Sequence, residues 1–391
     1  MRRYSFSSGR WMAAILALSI ATAALAVDPA QLKPPTAAEL ESAIQRGVKF
    51  LLQDQNKDGS WGSPEQTKDL NIFAPVPGSH HAFRAAVTAM CVEALIETGA
   101  ADSDAEARQA LARGEAWLLR ELPKVRRATS VAIYNVWSHA YGIQALVEMH
   151  RREKDAGRQK EIRQCLEGQV DLLRRYESVD GGWGYYDFNV RSQRPGASST
   201  SFVTATVLVA FNEARSIGIE IPGDILKRAI ASIERQQKSD FSYDYGEYLK
   251  WRPMMPINRP AGSLGRSQAC NVAMRLWGAT NITDTVMTNW LTRFVVRNDW
   301  LGMGRKRPVP HESWFQIAAY FFYYGHYYAA LCTEQVPREA GSRYQGQIAA
   351  ILLPLQEKDG SWWDFPFYNY HQQYGTAFAL MTLKRCRQSG S

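Results

Sequence analysis

The dominant hydrophobic pattern along this chain is the spacing of one face of an α-helix. Apolar residues recur at intervals of three and four, as they do at Phe83, Val87, Met90, Cys91, Ala94 and Leu95. This spacing is typical of an amphipathic helix that buries one face. No run of alternating apolar and polar residues is long enough to predict a β-strand. The pattern therefore predicts an all-α protein.

Six pairs of such helices can be aligned along the chain. Outer helices are predicted to start near Gly47, Glu115, Gly168, Ala229, Asn289 and Gln347, and inner helices near His81, Ser138, Ser199, Ser267, Ser313 and His371. Thr36 with Glu39 predicts a capping box at one start, and Ser313 with Gln316 predicts another. A repeated helix pair cannot bury its apolar faces alone. We therefore predict that residues 27–391 form one domain, an α/α toroid of six helical hairpins.

A short phrase with Asp-Gly and Trp occurs three times between predicted helices, at residues 57–61, 179–183 and 358–362. The Asp-Gly pair predicts a tight turn, because glycine tolerates positive φ. The tryptophan two residues later can fold back over the adjoining helices. Four residues before each glycine the chain carries Gln55, Glu177 or Gln356.

The Gln-x-x-x-Gly-x-Trp spacing resembles the QW motif of squalene-hopene and oxidosqualene cyclases. The chain is therefore similar to the superfamily of terpenoid cyclases and protein prenyltransferases, and this resemblance implies an α/α toroid. In that superfamily the motif is a structural clamp between helices, so it says little about chemistry. The other three repeats are degenerate, and residues 237–243 keep only a glutamine and an aromatic residue.

The catalytic motifs of that superfamily are missing from the chain. It has no Asp-x-Asp-Asp acid motif of the hopene-type cyclases, and no Asp-Asp pair of the kind that holds Mg²⁺ in terpene synthases. Protein prenyltransferases hold zinc with an Asp-x-Cys pair and a later histidine. Gln268, Cys270 and His371 resemble this set, but glutamine replaces the aspartate and the two elements are two repeats apart. We expect no metal and no cofactor.

Aromatic residues are abundant, with 12 Trp, 18 Tyr and 15 Phe. So many rings need either a large core or a lined cavity. The first turns of the six inner helices should surround one end of that cavity. The residues predicted there to bind a ligand are His81, Arg84, His139, Tyr141, Arg266, Gln268, Trp314 and Tyr374. The candidate catalytic residues are Glu312, His311 and His371, since an acid or base beside a bound sugar could act on it.

Three functions stay open on the sequence. In the first, the aromatic cavity binds a hydrophobic ligand, a glycan or a protein partner without chemistry. In the second, the toroid is a polysaccharide lyase or hydrolase that uses Glu312. In the third, it is an atypical terpenoid cyclase or prenyltransferase, because aromatic linings stabilise carbocations. Whether the chain is an enzyme is thus left open.

The start of the chain has the features of a secretory signal. Three arginines accompany an apolar run that ends in Ala24-Leu25-Ala26, a small-x-small cleavage pattern. The run is about 15 residues long, short of the roughly 20 that a spanning helix needs. We predict that residues 1–26 are a signal peptide. The mature chain would then be exported, to the periplasm, the cell envelope or the outside, with no membrane span.

Net charge and cysteine content exclude two further classes. A formal net charge of +8 is too small for this length to indicate nucleic-acid binding. The five cysteines are odd in number and show no short paired spacing, so no disulfide framework is expected.

Overall fold

The computed structural model describes residues 27–68, 78–187, 194–196, 199–309 and 316–387. Twelve helices of this part of the chain form two concentric rings. The outer ring consists of α1 (Ala37–Gln53), α3 (Ala105–Glu121), α5 (Ala156–Tyr176), α7 (Gly223–Gln236), α9 (Asp284–Val296) and α11 (Arg338–Leu352). The inner ring consists of α2 (Ser79–Glu97), α4 (Asn135–Arg152), α6 (Ser201–Ser216), α8 (Leu264–Leu276), α10 (Phe321–Thr333) and α12 (His371–Arg385). The described residues contain no β-strand, so the predicted all-α toroid is confirmed.

The sequence of each helix decides which ring it joins. Every residue of α10 is buried, as an inner helix requires. The outer helix α7 instead buries Ile225, Ala229 and Ile233, which are spaced four residues apart on one face. An outer helix needs only this stripe because its other side faces solvent.

The ring closes between the two ends of the chain. Each inner helix contacts the next inner helix, and α12 contacts α2. Each inner helix also packs against the outer helix that follows it, while the first outer helix, α1, packs against the last inner helix, α12. The sequence pattern had paired each outer helix with the inner helix after it. In the structure each inner helix instead pairs with the outer helix after it. The reason is that the connections from inner to outer helices are short, such as residues 153–155 between α4 and α5.

The Trp phrases clamp neighbouring outer helices together. The indole N–H of Trp61 donates to the carbonyl of Leu51 at the end of α1 (2.7 Å), and the amide of Gln55 donates to the carbonyl of Ala110 in α3 (2.8 Å). The last copy does the same across the closure of the ring, where the Gln356 amide donates to the carbonyl of Ala43 in α1 (2.9 Å). The clamp that the resemblance implied is therefore present.

Glycine is required at the turn of each phrase. Gly59, Gly181 and Gly360 all have φ between 90° and 96°. A Cβ atom on any of them would lie within 2.6 Å of the carbonyl oxygen of an arginine in the next outer helix. The close approach of turn and helix thus depends on the missing side chain.

The predicted helix starts are confirmed for most inner helices and are wrong for the outer helices. Five inner helices begin within three residues of the predicted starts. The Thr36–Glu39 capping box is present, and all five cysteines are unpaired. The predicted outer starts fall inside outer helices but after their first turns, although buried residues such as Leu40 in α1 and Leu111 in α3 already precede them.

One predicted inner-helix start is wrong. Helix α10 begins at Phe321 instead of near Ser313, and Gln316 lies in irregular backbone with φ 52°, so it is not the third residue of a helix. Ser313 itself lies outside the described residues, as does the predicted signal peptide, residues 1–26. No helix in the described part of the chain is both long and apolar enough to cross a bilayer.

Candidate functional site

A cavity opens at the end of the toroid where the inner helices begin. Its volume is about 180 Å³, which is room for much more than a water molecule. All sixteen lining residues are aromatic or aliphatic: Phe83, Ala86, Val87, Met90, Tyr134, Trp137, Tyr141, Tyr185, Phe202, Tyr320, Phe321, Tyr324, Phe365, Phe367, Tyr374 and Phe378. The wall is therefore apolar and predominantly aromatic.

Helical periodicity places these side chains. On α4, Trp137 and Tyr141 are four residues apart and their rings stack with centroids 5.9 Å apart. On α12, Tyr374 and Phe378 show the same spacing. Residues four apart lie on the same face of a helix, so each of these helices presents one aromatic stripe to the cavity.

Ring contacts join the stripes of different helices into one wall. The ring of Phe202 on α6 meets that of Phe321 on α10 edge to face, with centroids 5.0 Å apart. Tyr141 on α4 and Phe378 on α12 approach in the same way at 5.8 Å. Edge-to-face pairs of this kind are favourable beyond the area they bury.

The tyrosine hydroxyls of the wall are turned toward protein partners. Tyr324 donates to the carbonyl of Phe202 (3.0 Å), and Tyr374 donates to a carboxylate oxygen of Asp364 (2.5 Å). The other hydroxyls are engaged in the same way: Tyr134 with Tyr186, Tyr185 and Tyr320 with Tyr245, and Tyr141 beside Thr206 and Tyr328. The six tyrosines thus satisfy their polar atoms within the wall.

Asp364 is joined to the cavity wall by a hydrogen bond from Tyr374. It is fully buried and accepts hydrogen bonds from the Tyr374 hydroxyl and from the backbone N–H of Tyr323 (3.0 Å). Burial raises the pKa of this carboxyl to about 6, although the Tyr374 hydrogen bond acts in the opposite direction. Tyr374 separates it from the cavity, so Asp364 is not a lining residue.

The residues around the cavity are poorly suited to a metal ion. Among the described residues no group of three or more His, Cys, Asp or Glu side chains is arranged to hold one. Apart from the thioether of Met90, the cavity wall supplies aromatic rings and aliphatic groups, which are not metal ligands.

Two of the predicted ligand-binding residues line the cavity, namely Tyr141 and Tyr374. Both follow the aromatic stripe of their helices. Their role in ligand binding stays a prediction.

Three predicted residues are buried away from the cavity. His139 is bonded to the side chain of Gln169 in α5 (2.8 Å), and burial lowers the pKa of its imidazole to about 4. The Gln268 amide donates to the carbonyl of Trp290 in α9 (3.0 Å). Arg266 donates to the backbone carbonyls of residues 243, 257 and 262. These side chains hold outer helices and a loop in place and do not line the cavity.

The remaining described candidates, Arg84, His81 and His371, contact other protein groups. Arg84 forms an ion pair with Asp58 (2.8 Å), and His81 lies 3.8 Å from a carboxylate oxygen of Glu121. The Nδ1–H of His371 donates to the carbonyl of Tyr368 (2.6 Å), and burial lowers the pKa of its imidazole to about 4. None of the three lines the cavity. They were predicted from their position in the first helical turn, but only one face of each helix points inward.

Glu312, His311 and Trp314 lie outside the described residues. Their predicted roles therefore stay predictions.

Most of the wall was missed by sequence reasoning. Phe83 was placed only on the apolar face of its helix, and Phe202 and Phe378 were not singled out, although each lines the cavity. A search for aromatic residues four apart in inner helices would have found Trp137 with Tyr141 and part of this set. Which apolar face meets a cavity and which meets another helix is not visible in the sequence.

Comparison with solved structures shows the shared architecture. A D-mannose isomerase is 11% identical with a TM-score of 0.55, over 89% of this chain and 97% of that chain. A family 76 glycoside hydrolase from a bovine Bacteroides thetaiotaomicron strain is 10% identical with a TM-score of 0.54, over 89% and 77% of the two chains. The type II terpene cyclase MstE from Scytonema is 16% identical with a TM-score of 0.47, over 90% and 98%. At these identities, the likeness to the first two shows the fold alone.

The sequence family is shown by a separate match. The family model of the squalene-hopene cyclase C-terminal domain matches residues 19–250, more than half of the chain. That range includes two of the three Trp phrases and the helices that contribute Phe83, Trp137 and Phe202 to the cavity. The chain belongs to the squalene-hopene cyclase C-terminal domain family.

Proposed function

We propose that this protein binds an isoprenoid-type hydrocarbon in the aromatic cavity. The observation that carries the proposal is the orientation of the tyrosines, whose hydroxyls bond to protein partners while their rings line the wall. A ligand in this cavity meets ring faces and methyl groups. Such a surface stabilises a ligand through burial of apolar area.

The same wall is a poor surface for a sugar. A bound glycan would bury hydroxyl groups opposite rings, and each buried hydroxyl without a partner costs about 1–3 kcal/mol. Glycoside hydrolysis also needs two carboxyl groups roughly 5 to 10 Å apart beside the sugar. No carboxyl group lines the cavity in the described part of the chain. A branched, methyl-rich hydrocarbon fits the wall better, and family membership supports the same choice.

Binding and cavity shape can be tested together by native mass spectrometry with squalene, farnesol and mannotriose as ligands. Ala86→Phe adds a ring that would fill part of the cavity, and we expect it to weaken binding of the isoprenoids by roughly tenfold or more. Tyr374→Phe is the matched control, because it removes a hydroxyl that bonds to Asp364 but keeps the ring. We expect it to bind the isoprenoids as the unmodified chain does.

Two outcomes would contradict the proposal. If mannotriose bound and the isoprenoids did not, the cavity would be a glycan site. If Tyr374→Phe abolished binding while Ala86→Phe did not, recognition would depend on a polar group and not on the apolar wall.

We also propose that the chain is exported and loses residues 1–26. The support is the arginine-flanked apolar run before Ala24-Leu25-Ala26. Determining the N-terminus of the protein isolated from its native cells tests this. A mature start near Val27 is expected, and an intact Met1 in the bulk of the protein would contradict it.

A further inference from the structure

Beyond the aromatic cavity, five inner helices bring polar side chains together nearer their C-terminal ends. The residues are Glu93 from α2, Gln144 from α4, Glu213 from α6, Tyr327 from α10 and Arg385 from α12. The amide of Gln144 donates to a carboxylate oxygen of Glu213 and to the hydroxyl of Tyr327, both at 3.3 Å. The guanidinium of Arg385 lies over the Tyr327 ring, 5.2 Å from its centroid. We call these five residues the polar cluster.

The basic residue of the polar cluster is already engaged by other carboxylates. Arg385 donates to a carboxylate oxygen of Glu97 (2.6 Å) and lies 3.4 Å from one of Glu334. Among the described residues no basic side chain forms an ion pair with Glu93 or Glu213. These two carboxyl groups therefore share one region of the inner ring without a cation of their own.

Two side chains of the polar cluster carry buried oxygen atoms that accept no hydrogen bond. Glu93 is 1% exposed and its Oε2 has no partner, and Gln144 is fully buried with an unpartnered Oε1. A buried carboxylate without a partner is strongly unfavourable. A protonated carboxyl removes that charge and supplies a hydrogen-bond donor among these acceptors. The geometry therefore favours a proton on Glu93 in the folded state.

Burial and repulsion both keep protons on this pair of carboxyls. Loss of hydration raises the pKa of Glu93 well above its usual range, and the charges of Glu97 and Glu213 raise it further. Burial also raises the pKa of Glu213 to about 7, although the hydrogen bond from Gln144 acts in the opposite direction. The other charged or titratable groups that act on the two carboxyls are Glu97, Glu148, Arg385, Tyr141 and Tyr327.

The polar cluster contacts the wall of the aromatic cavity. The ring of Tyr327 packs against that of Phe378, a wall residue, with centroids 5.4 Å apart. Met90, another wall residue, lies on α2 one turn before Glu93. A change in the packing of the cluster would therefore reach the inner end of the cavity.

We propose that the polar cluster is a proton-controlled plug of the inner ring. The plug is closed while Glu93 and Glu213 carry at most one negative charge between them, and it loosens when both are ionised. The repelling carboxylates then draw water between the C-terminal halves of α2 and α6. Its effect on a hydrocarbon in the cavity rests on the proposed function.

The direction of the pH dependence follows from the two carboxyls. Both hold their protons more tightly in the folded state than an ordinary glutamate, whose pKa is 4.5. The stability that the pair contributes is therefore fully present below about pH 4.5 and is lost as the pH rises past about 7.

A metal ion fits the polar cluster less well than a proton. In the part of the chain that the structure describes, no three His, Cys, Asp or Glu side chains are arranged to hold one. The guanidinium of Arg385 acts on both Glu93 and Glu213, and it would repel a second cation.

Hydrogen exchange of the full chain without ligand tests the plug. Glu93→Gln combined with Glu213→Gln keeps the size of both side chains but removes their charge. At about pH 8 we expect exchange in the C-terminal halves of α2 and α6 to be roughly tenfold slower in this variant than in the unmodified chain. The reason is that each pH unit above a pKa weakens a proton-linked state about tenfold. At about pH 5 the two proteins should exchange alike.

Two controls separate the plug from general effects. Glu220→Gln removes an exposed carboxyl four residues after the end of α6, and it should change exchange at neither pH. Peptides from α8 serve as an internal reference, because this inner helix contributes no side chain to the polar cluster. If the double variant does not fold, the single variants Glu93→Gln and Glu213→Gln provide the same comparison.

Three outcomes would overturn the proposal. The first is equal exchange of the double variant and the unmodified chain at pH 8. The second is slower exchange that extends equally to α8, because the effect would then be on the stability of the whole fold. The third is slow exchange restored at pH 8 by potassium or magnesium chloride and not by choline chloride, which would show a cation in place of the proton.

The plug and the cavity proposals fail separately. Farnesol binding is measured by native mass spectrometry at both pH values, and we expect weaker binding at pH 8 for the unmodified chain but equal binding for the double variant. If farnesol binds at neither pH while the exchange result is as expected, the cavity proposal fails and the plug stands. If farnesol binds but exchange shows no difference, the reverse holds.

Discussion

At the residue scale, buried tryptophans connect the repeated phrase to the stability of the fold. Trp61 and Trp362 are fully buried, and each indole N–H donates to a carbonyl at the end of the preceding outer helix (2.7 and 3.0 Å). Their rings also approach Gly114 and Gly47 in the next outer helices, where a side chain would collide with them. One residue thus joins two outer helices.

Replacing either buried tryptophan should be costly. We expect Trp61→Ala and Trp362→Ala each to lower the free energy of unfolding by about 3–5 kcal/mol, because a large cavity is left behind. Urea denaturation followed by circular dichroism measures this. Trp251→Ala, at an exposed position, is the control and should change stability by less than about 0.5 kcal/mol. A loss below about 1 kcal/mol at both buried positions would contradict the clamp.

The buried Asp364 should give a measurable dependence of stability on pH. Its folded-state pKa, about 6, lies above the ordinary value of 3.8. The folded state therefore holds the proton more tightly, and the contribution of this group to stability falls as the pH rises from about 4 to about 6. Asp364→Asn mimics the protonated carboxyl: its amide can donate to the Tyr374 oxygen while its carbonyl accepts from Tyr323.

Asp364→Asn should therefore match the unmodified chain near pH 4 and exceed it in stability at pH 7, by on the order of 3 kcal/mol. Urea denaturation of both proteins across this pH range measures the difference. A difference that stays constant with pH would show that this carboxyl titrates normally.

At the element scale, the turn of each Trp phrase sets the distance between outer helices. Gly59 has φ 96°, and a Cβ there would lie 2.5 Å from the carbonyl oxygen of Arg113 in α3. Gly218, after α6, has φ 78°, but a Cβ there would meet no heavy atom within 4 Å. The two glycines share the backbone conformation and differ only in the approach of a neighbour.

This difference predicts unequal costs of substitution. Gly218→Ala should lower stability by about 1 kcal/mol, since alanine tolerates positive φ poorly. Gly59→Ala should cost about 1–3 kcal/mol more, because α3 must also move away from the turn. Equal losses in urea denaturation would mean that the close approach contributes nothing.

At the scale of the whole molecule, every outer helix packs on an inner helix that precedes it around the ring. This pairing should allow the chain to begin at a different helix. Helix α1 packs on α12, and the guanidinium of Arg387 contacts the carboxylate of Glu41. The end of the last inner helix therefore lies near the start of the first outer helix. This is the same relation that short loops make between every other inner helix and its outer partner.

A circular permutant should consequently fold. Residues 78–387, followed by a short flexible linker and residues 27–68, would turn the closure of the ring into one more inner-to-outer connection. We expect helical content like that of the natural order and a single cooperative urea transition. Removing residues 27–68 without restoring them is the comparison, and we expect it to abolish the cooperative transition because α12 loses its cover.

Local physics explains what sequence reasoning achieved. The helical period, the Asp-Gly turns and the Thr36–Glu39 cap each depend on a few neighbouring residues, so they can be recognised in the sequence alone. The alignment of six helix pairs along the chain was sufficient to predict a toroid of six helical hairpins. The position of α10 was missed, because Ser313 and Gln316 imitate a cap in a segment that does not start a helix.

The sequence by itself determined the all-α class, the repeat number and the residues that turn and clamp, since each depends on short-range geometry. Only the tertiary structure decided which helices pair and which aromatic faces line a cavity. It also decided which polar side chains are buried between helices, away from the cavity. His139 and Gln268 illustrate the reason, because their partners Gln169 and Trp290 are more than 20 residues away. A side chain in a toroid can point to the cavity, to a neighbour in its own ring or to the other ring. That choice depends on contacts made across the whole molecule.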